Sequence, residues 1–523
     1  MSDAFTVFDI LRRANELFPD SEIRFGEHRQ SFHRTYERVL QLSSALSEIG
    51  IGRGTVFGVA DWNTPRFVEL FYAAAETGAV IYPVNIRLPP EQIAHTIRSA
   101  GVEWLFLSSD FLPLAKSLPS PEKVVALDPD PDFPRTYDAL LAGSRGPAPE
   151  VSVRGSDPYS ILFTSGTTGL PKAVRYTHEK VLHGALSIAY QLGFWDTPAK
   201  LGSGDVIFPF IPFYHLWAWG SVFHAPYLGA RYVLGGRFDP ARAVRTIAEE
   251  KVTWVNAIPT MIQMLLAVSS GTELEGLKAL VGGMTIPSRL ARAMTDAGIH
   301  FSTIYGGTDM LATSISILPT GIEMRDPADY LRSTTHAVPF AEVKIVRPDG
   351  AVAATGEMGE LCLRAPWLPG EYYQDPEKTA SAYVDGWFHT GDYAFVTAEG
   401  GIRVVDRVKD VIKSGGEWIP SSLVESIISE VPGVESAAVL GAPDEKWGER
   451  PVAAVQPRRG ATVAEGEIRA RLDRAVHEGK IQRWWVPEKV TFVDELPLTS
   501  TAKVNKAALR RRLFEKPSPD PGR

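Results

Sequence analysis

Tyr159–Phe163 reads Y-S-I-L-F, an apolar run of strand type. It passes without a break into T-S-G-T-T-G-L-P-K, Thr164–Lys172. A buried strand that empties into small hydroxyl residues and glycines, closed by Pro and Lys, sets strong limits on the fold. The glycines let the loop bend, its N–H and hydroxyl groups turn toward an anion, and Lys172 supplies a cation. The spacing G-x-x-x-x-G-K-[ST] is absent, so this is not a Walker loop.

The surrounding chain alternates strands and helices. Residues 4–50 predict two amphipathic helices around a short strand. A-A-A-E-T-G-A-V-I-Y-P-V-N predicts a helix ending at Gly78 and then a buried strand, and W-L-F-L and K-V-V-A-L repeat the strand signal. This is an α/β pattern. At 523 residues the chain exceeds one compact core. From Asp406 the pattern restarts as a smaller unit: a short strand at V-K-D-V-I-K, a helix at S-S-L-V-E-S-I-I, a strand at V-E-S-A-A-V-L-G, a helix near 464–476 and a strand at V-P-E-K-V-T-F-V. The expected organisation is a large N-terminal α/β domain with several subdomains over 1–405, a hinge at 406–409, and a small mobile α+β domain over 410–523.

Composition narrows the function. A formal net charge of −8 argues against a nucleic-acid partner. The one cysteine, Cys362, excludes an internal disulfide, and G-E-L-C-L-R places it in a strand core. The start of the chain lacks a signal-peptide pattern and no run reaches transmembrane length, so a cytoplasmic protein without a membrane span is expected.

T-S-G-T-T-G-L-P-K resembles the signature of the adenylate-forming superfamily, which contains acyl-CoA synthetases, firefly-type luciferases and the adenylation domains of peptide synthetases. Further motifs follow in family order. The resemblance implies that Thr164, Ser165, Gly166, Thr167, Thr168, Gly169 and Lys172 hold the phosphates of ATP. In I-Y-G-G-T-D it implies that Tyr305 stacks on adenine, Thr308 touches phosphate, and Asp309 holds Mg2+ where the family usually has Glu. In W-F-H-T-G-D, Asp392 would anchor the ribose hydroxyls, since a carboxylate offers only acceptors; Arg407 would reach ribose or phosphate. Lys409 matches the hinge. Lys413, with Ser414, Gly415 and Gly416, matches the loop that serves thioester formation and admits the pantetheine arm of CoA. In L-P-L-T-S-T-A-K-V-N-K, Lys503 is the implied adenylation lysine, with Lys506 as the competing choice.

P-F-Y-H-L-W-A-W-G, Pro212–Gly220, resembles the acyl-site segment of medium- and long-chain fatty acid ligases. His215 would sit by the carboxylate, with Trp217 and Trp219 as an apolar wall. Gly282, Gly283 and Met284 complete the implied acyl site. The implied activity is that of an AMP-forming acid–thiol ligase: a lipophilic acid, fatty or terpenoid, is joined to CoA through an acyl-adenylate.

Four positions at the implied site depart from the family pattern: Ala173 and Ala502 for Gly, Met284 for a small residue, and Asp309 for Glu; Ala365 and Leu498 are further changes outside the direct contacts. The Asp carboxylate retreats by about 1.5 Å. Ala where φ is positive costs on the order of 1 kcal/mol. Met284 would crowd ATP. These changes suggest an alternative, a ligase with weakened or lost adenylation that mainly carries a preformed acyl-adenylate to the thioester. A stand-alone adenylation enzyme loading a carrier protein is a further alternative, and a catalytically silent acyl- or nucleotide-binding protein is another.

Overall fold

The computed structural model describes residues 5–117, 121–144, 146, 151–164, 170–319, 326–408, 410–415, 417–498 and 504–514. It is a mixed α/β protein with a large N-terminal domain and a smaller C-terminal domain. Among these described residues, four sheets carry the fold.

The first is six-stranded, in the order Val124–Ala126, Trp104–Leu107, Val56–Ala60, Val80–Pro83, Pro158–Phe163 and Ala173–Thr177. All neighbours are parallel except the last pair, where Phe163 faces Ala173 across the loop they flank. Helix Pro65–Thr77 ends at Gly78 with φ +69 before the strand Val80–Pro83, as the sequence predicts. The N-terminal segment holds two strands, Glu22–Phe25 and His28–Ser31, between helices Phe8–Leu17 and Phe32–Glu48. One strand was expected there, because the alternation in H-R-Q-S is too polar and short to signal a second.

The second sheet is nine-stranded and mostly parallel, and it contains Lys278–Gly282 beside His300–Gly307. Phe67, Phe71 and Phe213 interlock between the two sheets, with ring centroids 5.0 to 6.0 Å apart. The carboxylate of Glu69 is fully buried in this core. It accepts from Arg38 at 2.7 Å and Gln30 at 2.8 Å, and from the Tyr137 hydroxyl, which satisfies a charge that would otherwise be costly.

The third sheet, five-stranded, pairs Gly359–Arg364 with Trp387–Val396 and the latter with Ile402–Arg407. Cys362 lies in its core, fully buried. The fourth, also five-stranded, contains Ile412–Ser414, Glu417–Ile419, Val434–Asp444, Gly448–Pro457 and Lys489–Phe492, backed by helices Ser421–Ile428 and Glu465–His477. Asp406 caps the first of these helices: Ser422 N–H donates to its carboxylate at 3.1 Å, and Ser421 Oγ also donates. No helix among the described residues is long and apolar enough to cross a membrane.

Candidate active site

The loop after Pro158–Phe163 is closed by its own ends. Thr164 N–H donates to the Lys172 carbonyl at 2.9 Å, and Lys172 N–H donates to Thr164 Oγ1 at 3.2 Å. Ser165, Gly166, Thr167, Thr168 and Gly169 lie outside the described residues. The strain expected from Ala173 does not arise. Ala173 begins the strand Ala173–Thr177 and has no positive φ, because strand pairing has already resumed at that residue.

Strand His300–Gly307 brings Tyr305 to the cleft, with a bulge between Tyr305 and Gly306. Gly306 is required there: a Cβ would sit 1.9 Å from the Leu311 carbonyl oxygen. The tight return G-G-T-D-M-L follows from that contact. The Tyr305 hydroxyl donates to Asp392 Oδ2 at 2.5 Å. Burial and the adjacent Asp392 charge push that phenol well above its ordinary range, so it remains a donor. Asp392 is 3% exposed. Its other oxygen, Oδ1, takes a salt bridge from Arg407 Nε at 2.8 Å, because sheet register sets Asp392 opposite Arg407. Tyr305, Asp392 and Arg407, distant in sequence, therefore meet as expected.

Behind Asp392 stands a brace that motif reading does not reveal. Glu360 Oε1 accepts from Gly391 N–H at 3.0 Å, and Glu360 Oε2 is 2.8 Å from His389 Nδ1. Cys362 Sγ is 3.5 Å from the same His389 nitrogen, since register pairs Cys362 with His389. Burial, and then the Glu360 charge, push the thiol up to about 12. The available signal is the pair of motifs G-E-L-C and W-F-H-T-G-D in neighbouring strands.

Thr308 and Asp309 lie in the turn after Tyr305. The Thr308 carbonyl accepts from the Tyr176 hydroxyl at 2.8 Å, and Asp309 Oδ2 accepts from the Tyr372 hydroxyl at 2.6 Å. Lys172 Nζ lies 4.6 Å from the centroid of the Tyr372 ring. Tyr372 is a second residue that the sequence reading passes over.

His215 precedes an unusual segment. Its N–H donates to the Pro212 carbonyl at 2.9 Å, and its ring lies 4.7 Å from that of Tyr214. Leu216, Trp217, Ala218 and Trp219 then take φ values of 44, 48, 47 and 48° in succession, a left-handed turn built without glycine. This conformation costs roughly 1–2 kcal/mol per residue. Packing offsets the cost. Trp217 Nε1 donates to Ser160 Oγ at 3.2 Å, Asn256 Nδ2 donates to the Ala218 carbonyl at 2.7 Å, and Trp217 meets the edge of Tyr176 at 5.3 Å.

The turn forms one wall of a cavity whose empty volume, counted with its mouth, is about 580 Å³. Trp217, Trp219, Phe223 and Leu311 line it, with Val181 and Ile188 of the helix His178–Phe194. Among the described residues, no charged, amide or hydroxyl side chain is in the lining. Gly283 lines it too, and Gly282 packs against Ile304 and Trp219. His215 is not in the lining. Nor is Met284, which is 42% exposed: the chain turns outward after Gly283, whose φ is +87.

In the C-terminal unit, Lys413 N–H donates to Glu449 Oε2 at 2.8 Å and Lys413 Nζ lies 4.8 Å from the Trp418 ring centroid. Trp418 stacks on Tyr393 at 5.0 Å, which docks this hairpin on the strand that carries Asp392. Ser414 Oγ accepts from Arg450 Nη1 at 3.3 Å. Gly415 has φ +62, and a Cβ there would sit 2.7 Å from Trp447, so in this arrangement Trp447 fills the space beside it. Lys506 forms a salt bridge with Glu425 at 2.7 Å and donates to Ser421 Oγ at 2.5 Å. Lys409, Gly416, Ala502 and Lys503 lie outside the described residues.

Residues 11–373 match the AMP-binding enzyme family, and residues 423–503 match the AMP-binding enzyme C-terminal domain. The chain belongs to the AMP-binding enzyme family. Within reach of this family assignment, the chain is 32% identical to a long-chain-fatty-acid–CoA ligase of Thermus thermophilus, over 98% of this chain and 96% of that one. It is 34% identical to a 3-methylmercaptopropionyl-CoA ligase of Ruegeria lacuscaerulensis, over 90% and 89%. The fold matches that of an anthranilate CoA ligase solved with anthranoyl-AMP, with a TM-score of 0.85, 23% identity and 98% of each chain covered.

Proposed function

We propose that this family member is an AMP-forming acid–thiol ligase that makes the CoA thioester of a lipophilic carboxylic acid through an acyl-adenylate. One observation carries the reading. Ile304 and Gly306 line the apolar cavity, while Tyr305 between them turns to Asp392. This alternation along a single strand supports an acyl pocket set back to back with a nucleotide anchor. The relatives act on acids as different as a long-chain fatty acid and 3-methylmercaptopropionate, so the cavity, rather than kinship, selects the acid. A lining without charged, amide or hydroxyl side chains among the described residues favours an alkyl or aryl tail and penalises a second carboxylate, which would be buried unpaired.

In this reading the acid's carboxylate oxygen attacks the α-phosphorus of ATP, pyrophosphate departs, and acyl-AMP remains in the cleft. Asp392 accepts from the ribose hydroxyls and Arg407 balances its charge. Lys172 faces phosphate, and Lys503 bridges carboxylate and α-phosphate. The CoA thiolate then attacks the acyl carbonyl and AMP leaves, with Lys413 and its loop at the entry.

Asp309 suits Mg2+. It is a hard oxygen donor, and among the described residues no Lys or Arg nitrogen lies within salt-bridge distance of it. When bound there, Mg2+ supplies neutralisation of polyphosphate charge. The reading with weakened adenylation retains Asp309 as its support among the described positions, since Ala173 is unstrained and Met284 stands outside the cavity.

ATP–pyrophosphate exchange with a series of straight-chain and aryl acids, followed by mass detection of the CoA thioester, tests the proposal. Exchange with monocarboxylic apolar acids and CoA-dependent thioester formation are expected. Exchange absent for every acid, while synthetic acyl-AMP is still converted to the thioester, would replace it with the weakened-adenylation reading.

A further inference from the structure

Tyr372 stands where two charges of the cleft meet. Its side chain is 6% exposed. Its hydroxyl donates to Asp309 Oδ2 at 2.6 Å, and the Lys172 ammonium lies against its ring at 4.6 Å from the centroid. The backbone fixes the ring in place. Tyr372 and Val174 form an antiparallel bridge, Tyr372 N–H donates to Thr379 Oγ1 at 2.9 Å, and Tyr373 N–H donates to the Ala173 carbonyl at 2.9 Å. The segment is thus stitched to the strand that leaves the phosphate loop.

Asp309 accepts no other hydrogen bond among the described residues. A phenol is a neutral donor. It fixes one carboxylate oxygen without cancelling the charge, whereas a lysine or arginine would cancel it. A carboxylate one methylene shorter than usual gains most from such a hold, because Mg2+ demands near-octahedral geometry. Lys172 on the ring face gains a cation–π contact that steers the ammonium without pairing it to Asp309.

We infer that Tyr372 is a positioning residue for ATP activation: it aims Asp309 at the divalent metal of the triphosphate and registers Lys172 against the same side chain. The inference rests on the ligase reading for the metal's role. Its test needs no acid substrate, so the two can fail separately.

Tyr372→Phe keeps the ring, the packing and the Lys172 contact, and removes only the hydroxyl. Mn2+ binding to the full chain in the presence of ATP, read by electron paramagnetic resonance, reports the metal directly, and calorimetric AMP affinity is the control. Y372F is expected to weaken Mn2+ binding roughly tenfold, the scale of a charge-assisted hydrogen bond, with AMP affinity within about twofold of wild type. Asp309→Asn is expected to weaken Mn2+ at least as much, and the double variant no further, because the two groups act as one unit. Tyr372→Leu is expected also to weaken metal-free ATP binding, through Lys172. Unchanged Mn2+ affinity in Y372F, an equal fall in AMP affinity, or additive losses in the double variant would each overturn the assignment. Intact Mn2+–ATP binding without exchange on any acid would instead sink the ligase reading and leave Tyr372 in place.

Discussion

Two corners of the cleft are built from the same parts and wired differently. In each, a tyrosine donates to an aspartate: the partly buried Tyr305 to Asp392 at 2.5 Å, and the buried Tyr372 to Asp309 at 2.6 Å. In each, a cation stands near. Arg407 contacts Asp392 directly at 2.8 Å, whereas Lys172 rests on the tyrosine ring and leaves Asp309 unpaired among the described cations. The difference is one of charge. A neutralised carboxylate is suited to neutral partners such as ribose hydroxyls. A carboxylate that keeps its charge is suited to a metal. Hydrogen-bond geometry is shared, and the placement of the cation divides the roles.

Substitutions can break that comparison. The largest effect is expected for Asp392→Asn, which removes the anchor and leaves Arg407 without its counter-charge. Because Asp392 is buried and holds both Tyr305 and the half-exposed Arg407, the loss is expected to be about 4 kcal/mol, or about a thousandfold in kcat/KM for ATP–pyrophosphate exchange. Next comes Asp309→Asn. Exchange should fall about a hundredfold, on the scale of one lost transition-state contact, while CoA transfer from synthetic acyl-AMP stays near wild type. A matching fall in both half-reactions would erase the distinction between the corners.

Ala185→Leu, in the cavity wall, sharpens the comparison from outside. Filling the pocket should raise KM for the longest accepted acid roughly tenfold and leave KM for ATP unchanged, as expected from an overpacking cost of 1–3 kcal/mol.

The smallest effect concerns Cys362, behind Asp392. Its thiol, pushed up to about 12 by burial and then by Glu360, is above its ordinary value, so the thiolate is scarce at pH 8 and appears only as pH rises toward 12. Folded protein should resist maleimide at pH 8, as followed by mass spectrometry. Rapid stoichiometric labelling would mean that the brace of Glu360, Cys362 and His389 is open.

The two corners were unequally legible in the sequence. Tyr305, Asp392 and Arg407 sit inside contiguous motifs that the family resemblance picks out, although they lie on two different sheets. Tyr372 and Glu360 are not signalled by motif because only a bridge to the strand Ala173–Thr177 brings Tyr372 to Asp309, and only sheet register brings Glu360 to the Gly391 N–H beside Asp392. The left-handed turn over Leu216–Trp219 has no glycine to announce it. It is held by Ser160 and Asn256, which lie far off in the chain. The strain expected at Ala173 is absent for a related reason: a family position predicts which residue is usual, whereas φ depends on where the strand resumes.

The central claim is the division of labour between the two aspartates, and nucleotide calorimetry tests it directly. AMP and Mg2+–ATP are titrated into wild type, Asp392→Asn and Asp309→Asn. The account predicts that D392N weakens both nucleotides and that D309N weakens Mg2+–ATP while leaving AMP unaffected. Equal losses for both nucleotides in both variants would contradict it.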